Sequence, residues 1–192
     1  MKGLYIVLGI LLLIVLMGGC SYNSMNQKSN NVDNAWAKVQ SSYQRRADLV
    51  PNLVATVKGA ANFETTTLTQ VIEARAKATS INVNANDLTP EKMKEYQAAQ
   101  GQLSQALGRL MVVSEKYPEL RATESFRDLQ SQLEGTENRI KVARDEYNDA
   151  VNSYNTQVTS FPANMLAGMF GFKKRAPFQA DQAAQSAPKV QF

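Results

Sequence analysis

Histidine is absent from the 192 residues of this chain. That removes the commonest general base and the commonest metal ligand. It also excludes a di-iron helical bundle, whose Glu-x-x-His pairs cannot be built. Cysteine occurs once, as Cys20, so no disulfide framework is available. The chain holds no Walker loop, no Gly-rich dinucleotide turn and no Gly-x-Ser-x-Gly elbow. Glu134 and Glu137 lie three apart, but on a charged stretch where a solvated helix face explains them. No catalytic, cofactor-binding or metal-binding residue is assigned, no cofactor is expected, and the expectation is a protein that is not an enzyme. Clustered charge is also scarce. The net charge is +4 with both signs interspersed, and the longest basic run is Lys173-Lys174-Arg175. A nucleic-acid partner would need a larger patch, so none is expected.

What the chain does have is a long apolar start. Gly3 to Gly19 is free of charge and ends at Cys20. A run of this kind places the protein at a membrane. Extended through Tyr22, it reaches the roughly 20 residues of a spanning helix, and a tyrosine suits the interface. A cleaved secretory signal fits more loosely, with Lys2 before the apolar core. In a third reading, Met17-Gly18-Gly19-Cys20 resembles a lipobox, with Met17 where leucine is usual, and Cys20 carries the lipid. The first and third readings leave the rest of the chain tethered. The signal-like start places it on the periplasmic or extracytoplasmic side.

Beyond the anchor the composition is helical, rich in Ala, Gln, Glu, Arg and Leu, with six prolines in all. Phe126, Leu133, Ile140, Tyr147 and Tyr154 recur every seven residues. Leu129, Thr136, Ala143 and Ala150 follow three residues after the first four. This large-and-small seam predicts a long amphipathic helix over residues 119 to 158, with Gly135 a weak point inside it. Met25, Val32, Trp36, Val39 and Tyr43 predict a similar face over residues 22 to 47. Apolar residues also recur over 49 to 79, where Gly59 and residues 60 to 62 favour a bend, and over 90 to 115. Pro51, Pro90 and Pro118 each open an apolar-periodic run, a position proline tolerates. Asp48 and Thr89 are suited to capping the helices that follow.

Cutting at these prolines gives an all-α chain: an N-terminal transmembrane helix or lipoprotein signal, then an antiparallel up-and-down four-helix bundle. A rival cut keeps Pro51 inside one long kinked helix and leaves three helices. The expected divisions are an anchor at 1–20, the bundle at 21–160, an apolar and basic membrane-proximal segment at 161–177 and a flexible tail at 178–192. Residues 80 to 89 read as a polar surface connection.

The segment Gln44-Arg45-Arg46-Ala47-Asp48-Leu49-Val50-Pro51-Asn52-Leu53-Val54, followed by Val57-Lys58-Gly59, closely resembles the LemA family signature. Glu73-Ala74-Arg75, Leu133 to Ile140 with Ala143-Arg144, Tyr147-Asn148, Tyr154-Asn155, Phe161-Pro162 and Phe170-Gly171-Phe172 continue the likeness in order. It covers about residues 1 to 178. The resemblance implies a membrane-anchored bacterial protein with an extramembrane up-and-down helical bundle, and no catalytic residues to carry over. Members usually keep an uncleaved helix; Cys20 is the departure here.

Three groups stand out as contact candidates. Arg45, Arg46 and Asp48 could form a corner that meets a partner; alternatively Arg46 pairs internally and Asp48 caps a helix. Asn138 and Arg139, beside Thr136 and Glu137, could build an interhelical polar network that fixes register. Phe161, Met165, Leu166, Met169, Phe170 and Phe172, followed by Lys173, Lys174 and Arg175, are the strongest group. Four alternating helices would return them to the membrane, there to contact lipid or another subunit, unless they simply cap the bundle. The C-terminal Lys189-Val190-Gln191-Phe192 is a weak match to a strand-adding end. Expected partners are thus the membrane, protein partners of unknown identity and a second copy of the chain. The expected role is a non-enzymatic scaffold or assembly protein of the bacterial envelope. The alternative is an adaptor or regulator of a membrane protease or other envelope enzyme.

Overall fold

The computed structural model describes residues 2–59, 63–85 and 88–179, with the side chains of residues 2, 7, 10, 11 and 13–17 left out. The expected bend at 60–62, part of the 80–89 connection, and the tail from residue 180 onward, with its last four residues, lie outside the described residues. So do most side chains of the apolar run.

The described residues are all-helical. The order is α1 (Lys2–Lys58), α2 (Thr65–Ser80), α3 (Pro90–Ser114), α4 (Pro118–Ala122), α5 (Glu124–Thr159) and α6 (Ala163–Met169). Among them, no helix is long and apolar enough to cross a membrane. Contacts divide the chain into two units: Met1–Ser41 with Lys141–Arg175, and Ser42–Ile140 with Ala176–Phe192.

Two boundaries differ from the sequence expectation: the break expected at Pro51, and the single helix expected over 119 to 158, which Thr123 divides into α4 and α5. The chain does not break at Pro51; α1 continues through it to Lys58. Asp48 is therefore not a cap. It lies inside α1, exposed, and its Oδ1 accepts a hydrogen bond of 2.8 Å from Gln44 Nε2 one turn earlier. A proline inside a helix lacks the N–H that should bond the carbonyl four residues back. Here that carbonyl belongs to Ala47, and Arg75 Nε from α2 donates to it at 2.8 Å. A tertiary donor replaces the missing helical one, so the helix survives. The other two proline positions behave as local rules dictate. Thr89 accepts from Lys92 N, and Pro90 opens α3. Pro118 opens the short α4, and Thr123 then separates it from α5.

In the unit formed by Ser42–Ile140 and Ala176–Phe192, parts of α1, α2, α3 and α5 share one core. Val50, Leu53 and Val57 of α1, Leu68 and Val71 of α2, Leu103 and Leu110 of α3, and Phe126 and Leu133 of α5 are all buried there. Residues near the end of α2 meet the early part of α3 (Ala78 with Gln100), while Phe63, just before α2, stacks on Tyr117 beyond α3. The two helices are therefore antiparallel. Leu120 of α4 closes the same core.

In the other unit, α1 and α5 pair along their seams. Met25, Val32, Trp36 and Val39 are buried on α1, and Ala143, Tyr147, Val151, Tyr154 and Val158 on α5. Trp36 packs against Tyr147 with ring centroids 5.5 Å apart, and Lys38 bridges to Glu146 at 2.7 Å. Lys28 Nζ donates to the carbonyl of Ser153. Numbers fall along α5 as they rise along α1, so this pair is antiparallel as well.

Burial of tyrosine in both seams sets a pH limit. The Tyr147 hydroxyl is pushed up to about 12, chiefly by burial; Asp33 adds to this and Arg175 opposes it. Tyr96 is also raised by burial, with Tyr43 adding and Arg46 opposing. An unfolded tyrosine titrates near 10. The folded state therefore binds these protons more tightly, and the stability they contribute is full below about pH 10 and lost as pH rises toward 12. The unfolding free energy from urea titrations should fall over that range by roughly 1–2 kcal/mol for Tyr147. Tyr147→Phe should flatten the slope; an unchanged slope would contradict this origin.

Candidate functional site

Two polar or apolar concentrations stand apart from plain core, one in each unit. The first is built on Arg46. Val39, Tyr43, Arg46, Val50 and Leu53 follow the alternating four-and-three spacing of a helix seam, which turns Arg46 inward, where it is 2% exposed. Its Nη1 donates to Ser104 Oγ and, at 3.0 Å, to Glu137 Oε2. Its Nη2 donates to the Gln100 carbonyl at 3.1 Å and to Gln100 Oε1 at 2.7 Å. Gln100 in turn donates from Nε2 to the Ala78 carbonyl. The Tyr43 ring lies 5.0 Å from the guanidinium carbon and meets Tyr96 edge-on. Only Arg46 Nε–H faces no acceptor. One arginine thus ties α1 to α3 and α5, and through Gln100 to α2.

This arrangement separates the residues of the expected partner corner. Arg45 and Asp48 are exposed, but Arg46 is withdrawn from solvent with its donors spent internally. The expected polar network exists with other members. Asn138 and Arg139 are exposed, while Glu137 and buried Arg46 make the link. Sequence reasoning had a usable signal for this: Arg46 and Gln100 both sit where the seam of their helix requires an apolar residue. The network's chemistry is that of a clamp. Apart from Arg46 Nε–H, the hydrogen-bonding groups of Arg46 and Gln100 named above answer other protein groups.

The second concentration lies in the unit of α1's start and α5's end. After α6 the chain turns at Gly171, whose φ of 76° suits glycine, and runs extended along the α1–α5 pair. Asn155 grips this strap from both sides of one residue. Its Oδ1 accepts from Arg175 N and its Nδ2 donates to the Arg175 carbonyl, both at 2.9 Å. Tyr154 donates its hydroxyl proton to the Lys173 carbonyl at 2.9 Å. The Arg175 guanidinium reaches Ser29 Oγ and lies 3.5 Å from Asp33 Oδ1 on α1. Phe170 and Phe172 pack edge-on against Tyr22, at 5.0 and 5.7 Å between ring centroids.

The sequence-derived group 161–175 is therefore divided. Arg175 is half-buried and committed to Asp33, Ser29 and Asn155. Phe172 and Leu166 are half-buried. Phe161, Met165, Met169 and Phe170 remain exposed, as do Lys173 and Lys174. Cys20 is exposed with a free thiol, inside the continuous α1. The strap itself was not foreseen, because its anchors are side chains bonding to a backbone that carries no periodic pattern.

An open cleft of about 720 Å³ also lies near the end of α1, lined by Thr56, Gly59, Tyr117, Glu119 and Thr123 among others. Glu119 and Tyr117 are its titratable groups among the described lining residues. Among the described residues no three potential metal ligands converge.

Comparison with known proteins places these features in a family context. The LemA family model matches residues 35–192. The chain is 25% identical to Protein LemA of Metamycoplasma hominis over 160 residues, covering 83% of this chain and 69% of that one. It is 37% identical over 93 residues to magnetosome proteins MamQ 1 and MamQ 2 of Paramagnetospirillum magneticum. That match covers 48% of this chain and about a third of the length of those relatives, 34%. The family-model span, 35–192, holds Arg46, Pro51, Arg75, Glu137 and Asn155, the residues that make the clamp, the proline bypass and the strap. The chain belongs to the LemA family.

Proposed function

We propose that this protein is a non-enzymatic scaffold, tethered to a bacterial membrane by an uncleaved N-terminal helix and acting through protein contacts. The observation that carries this reading is α1 itself. A single helix from Lys2 to Lys58 bears both the charge-free run and the buried seam of Met25, Val32 and Trp36. Leu4, Tyr5, Ile6, Leu8 and Leu12 are all more than half exposed, an apolar surface that water does not favour and a bilayer does. Continuity of the helix through Cys20 supports a retained anchor over a lipid-bearing Cys20. The four core-sharing helix segments support an up-and-down bundle; the signal-like start is what assigns it to the extracytoplasmic side. The internal satisfaction of the Arg46 network supports a structural use of its charges over a catalytic one. Relatives that are magnetosome proteins support a role in a larger assembly.

Chemical cross-linking on intact membranes tests the proposal. A ladder of self-adducts is expected. A single dominant adduct with one other envelope protein would overturn the scaffold in favour of an adaptor. Recovery of the chain from the soluble fraction would overturn the tether.

A further inference from the structure

Among the described residues, the apolar face around α6 is largely uncovered. Met165 and Met169 lie four apart on α6 and are 66% and 79% exposed; Phe161, in the turn just before α6, is 81% exposed. Phe170 beside them is 49% exposed. Four large apolar side chains held open together are unusual on a surface that meets only water. Their position is fixed. Phe170 stacks on Tyr22, two residues beyond Cys20 and hence at the end of the apolar run of α1. The strap bonds of Asn155 and Tyr154 hold the following residues in place.

Charge at this end of the unit is of one sign. No Asp or Glu occurs before Asp33, and none occurs between Asp149 and Asp181. Asp33 is the first acid met on α1, and it is answered by Arg175. Lys173 and Lys174 stay exposed, directly after the apolar group, with Lys28 on the neighbouring helix. Every other acid of the unit, Asp145, Glu146 and Asp149, lies further back along α5.

We infer that the face of Phe161, Met165, Met169 and Phe170 inserts into the same bilayer that α1 enters, with Lys173 and Lys174 on anionic lipid headgroups. The site would be a second, shallow attachment, about 5–10 Å into the headgroup and acyl boundary. A spanning helix alone leaves its protein free to tilt and spin; a second contact beside it fixes one orientation. Tyr22, Phe170 and Phe172 would form the aromatic collar at the water boundary. The inference rests on the tethered reading above.

The test uses the full chain in vesicles of phosphatidylcholine with about a quarter phosphatidylglycerol, with and without acyl-chain bromination. Trp36 is buried and supplies a constant background. Phe161→Trp and Met169→Trp each add a probe at a position exposed enough to leave the fold intact. Val142→Trp, on α5 and 56% exposed, adds a control in the same unit. The expected result is a blue-shifted emission for the first two variants, roughly halved by brominated lipid, with the control unquenched. Lys173→Glu combined with Lys174→Glu should reduce the quenching of Phe161→Trp in anionic vesicles and leave the neutral-vesicle value unchanged. Protein that stays in the vesicles while Phe161→Trp and Met169→Trp escape quenching would overturn the inference and leave the tether standing. Emission that is blue-shifted without quenching, and that depends on protein density, would overturn it in favour of a second copy covering the face. Failure of the chain to remain with the vesicles would overturn the tether and the inference together.

Discussion

Replacing Arg46 with alanine should destabilise the protein by about 3–5 kcal/mol, the range for removing one member of a buried charged network. For a chain of this length that corresponds to a fall in Tm of about 10 °C. The reason lies in what the guanidinium leaves behind. Gln100 loses the donor to its side-chain and backbone oxygens, Ser104 loses its partner, and the Tyr43 ring loses the cation beneath it. A volume the size of an arginine also opens between α1, α3 and α5. Arg46→Met should cost less, because a methionine fills the space and buries no charge. Glu137→Gln should cost under about 1 kcal/mol, because the Glu137 side chain is 59% exposed and its ion pair is screened. Thermal unfolding followed by circular dichroism orders the three variants. A loss for Arg46→Ala no larger than that for Glu137→Gln would show that the network does not hold the core.

Arg75→Ala carries the second large effect. It should cost about 1–3 kcal/mol, the penalty for leaving a buried carbonyl unpaired, and the cost should depend on Pro51. With Pro51 present, α1 lacks the N–H that would bond the Ala47 carbonyl in a regular helix, and Arg75 Nε donates there instead. Pro51→Ala restores an N–H four residues on, so the carbonyl no longer needs Arg75. In the Pro51→Ala background, Arg75→Ala should therefore be much milder. A double-mutant cycle should return a coupling of about 1–2 kcal/mol. Additive effects would mean that Arg75 stabilises the protein through some other contact.

These two residues mark where the sequence could and could not be read. The apolar seams of α1 up to Tyr43 and of α5 were largely legible. Trp36, Tyr147 and Tyr154 lie at heptad positions and are buried there, because a helix with one apolar stripe has one low-energy way to face its neighbour. Arg46 obeys the same spacing, and internal pairing is one of its two readings, but its partners lie 54 to 91 residues away, beyond any local window. Pro51 misled for the same physical reason. Local rules forbid it inside a helix; the rule is lifted by a donor from another helix, which no local window contains. The group 161–175 was legible as apolar and basic, but not its division into a clamped half around Arg175 and an exposed half around α6. That division depends on Asn155 bonding to a backbone, an interaction without a side-chain pattern.

The tether is tested most directly by the intact mass of the full chain extracted from membranes after an alkaline wash. The expected result is a membrane-bound species near the 21.2 kDa of the complete chain, with Cys20 unmodified. A membrane-bound species lacking residues 1–19 and carrying acyl chains would contradict the retained helix. A released species lacking those residues and carrying no lipid would contradict membrane attachment altogether.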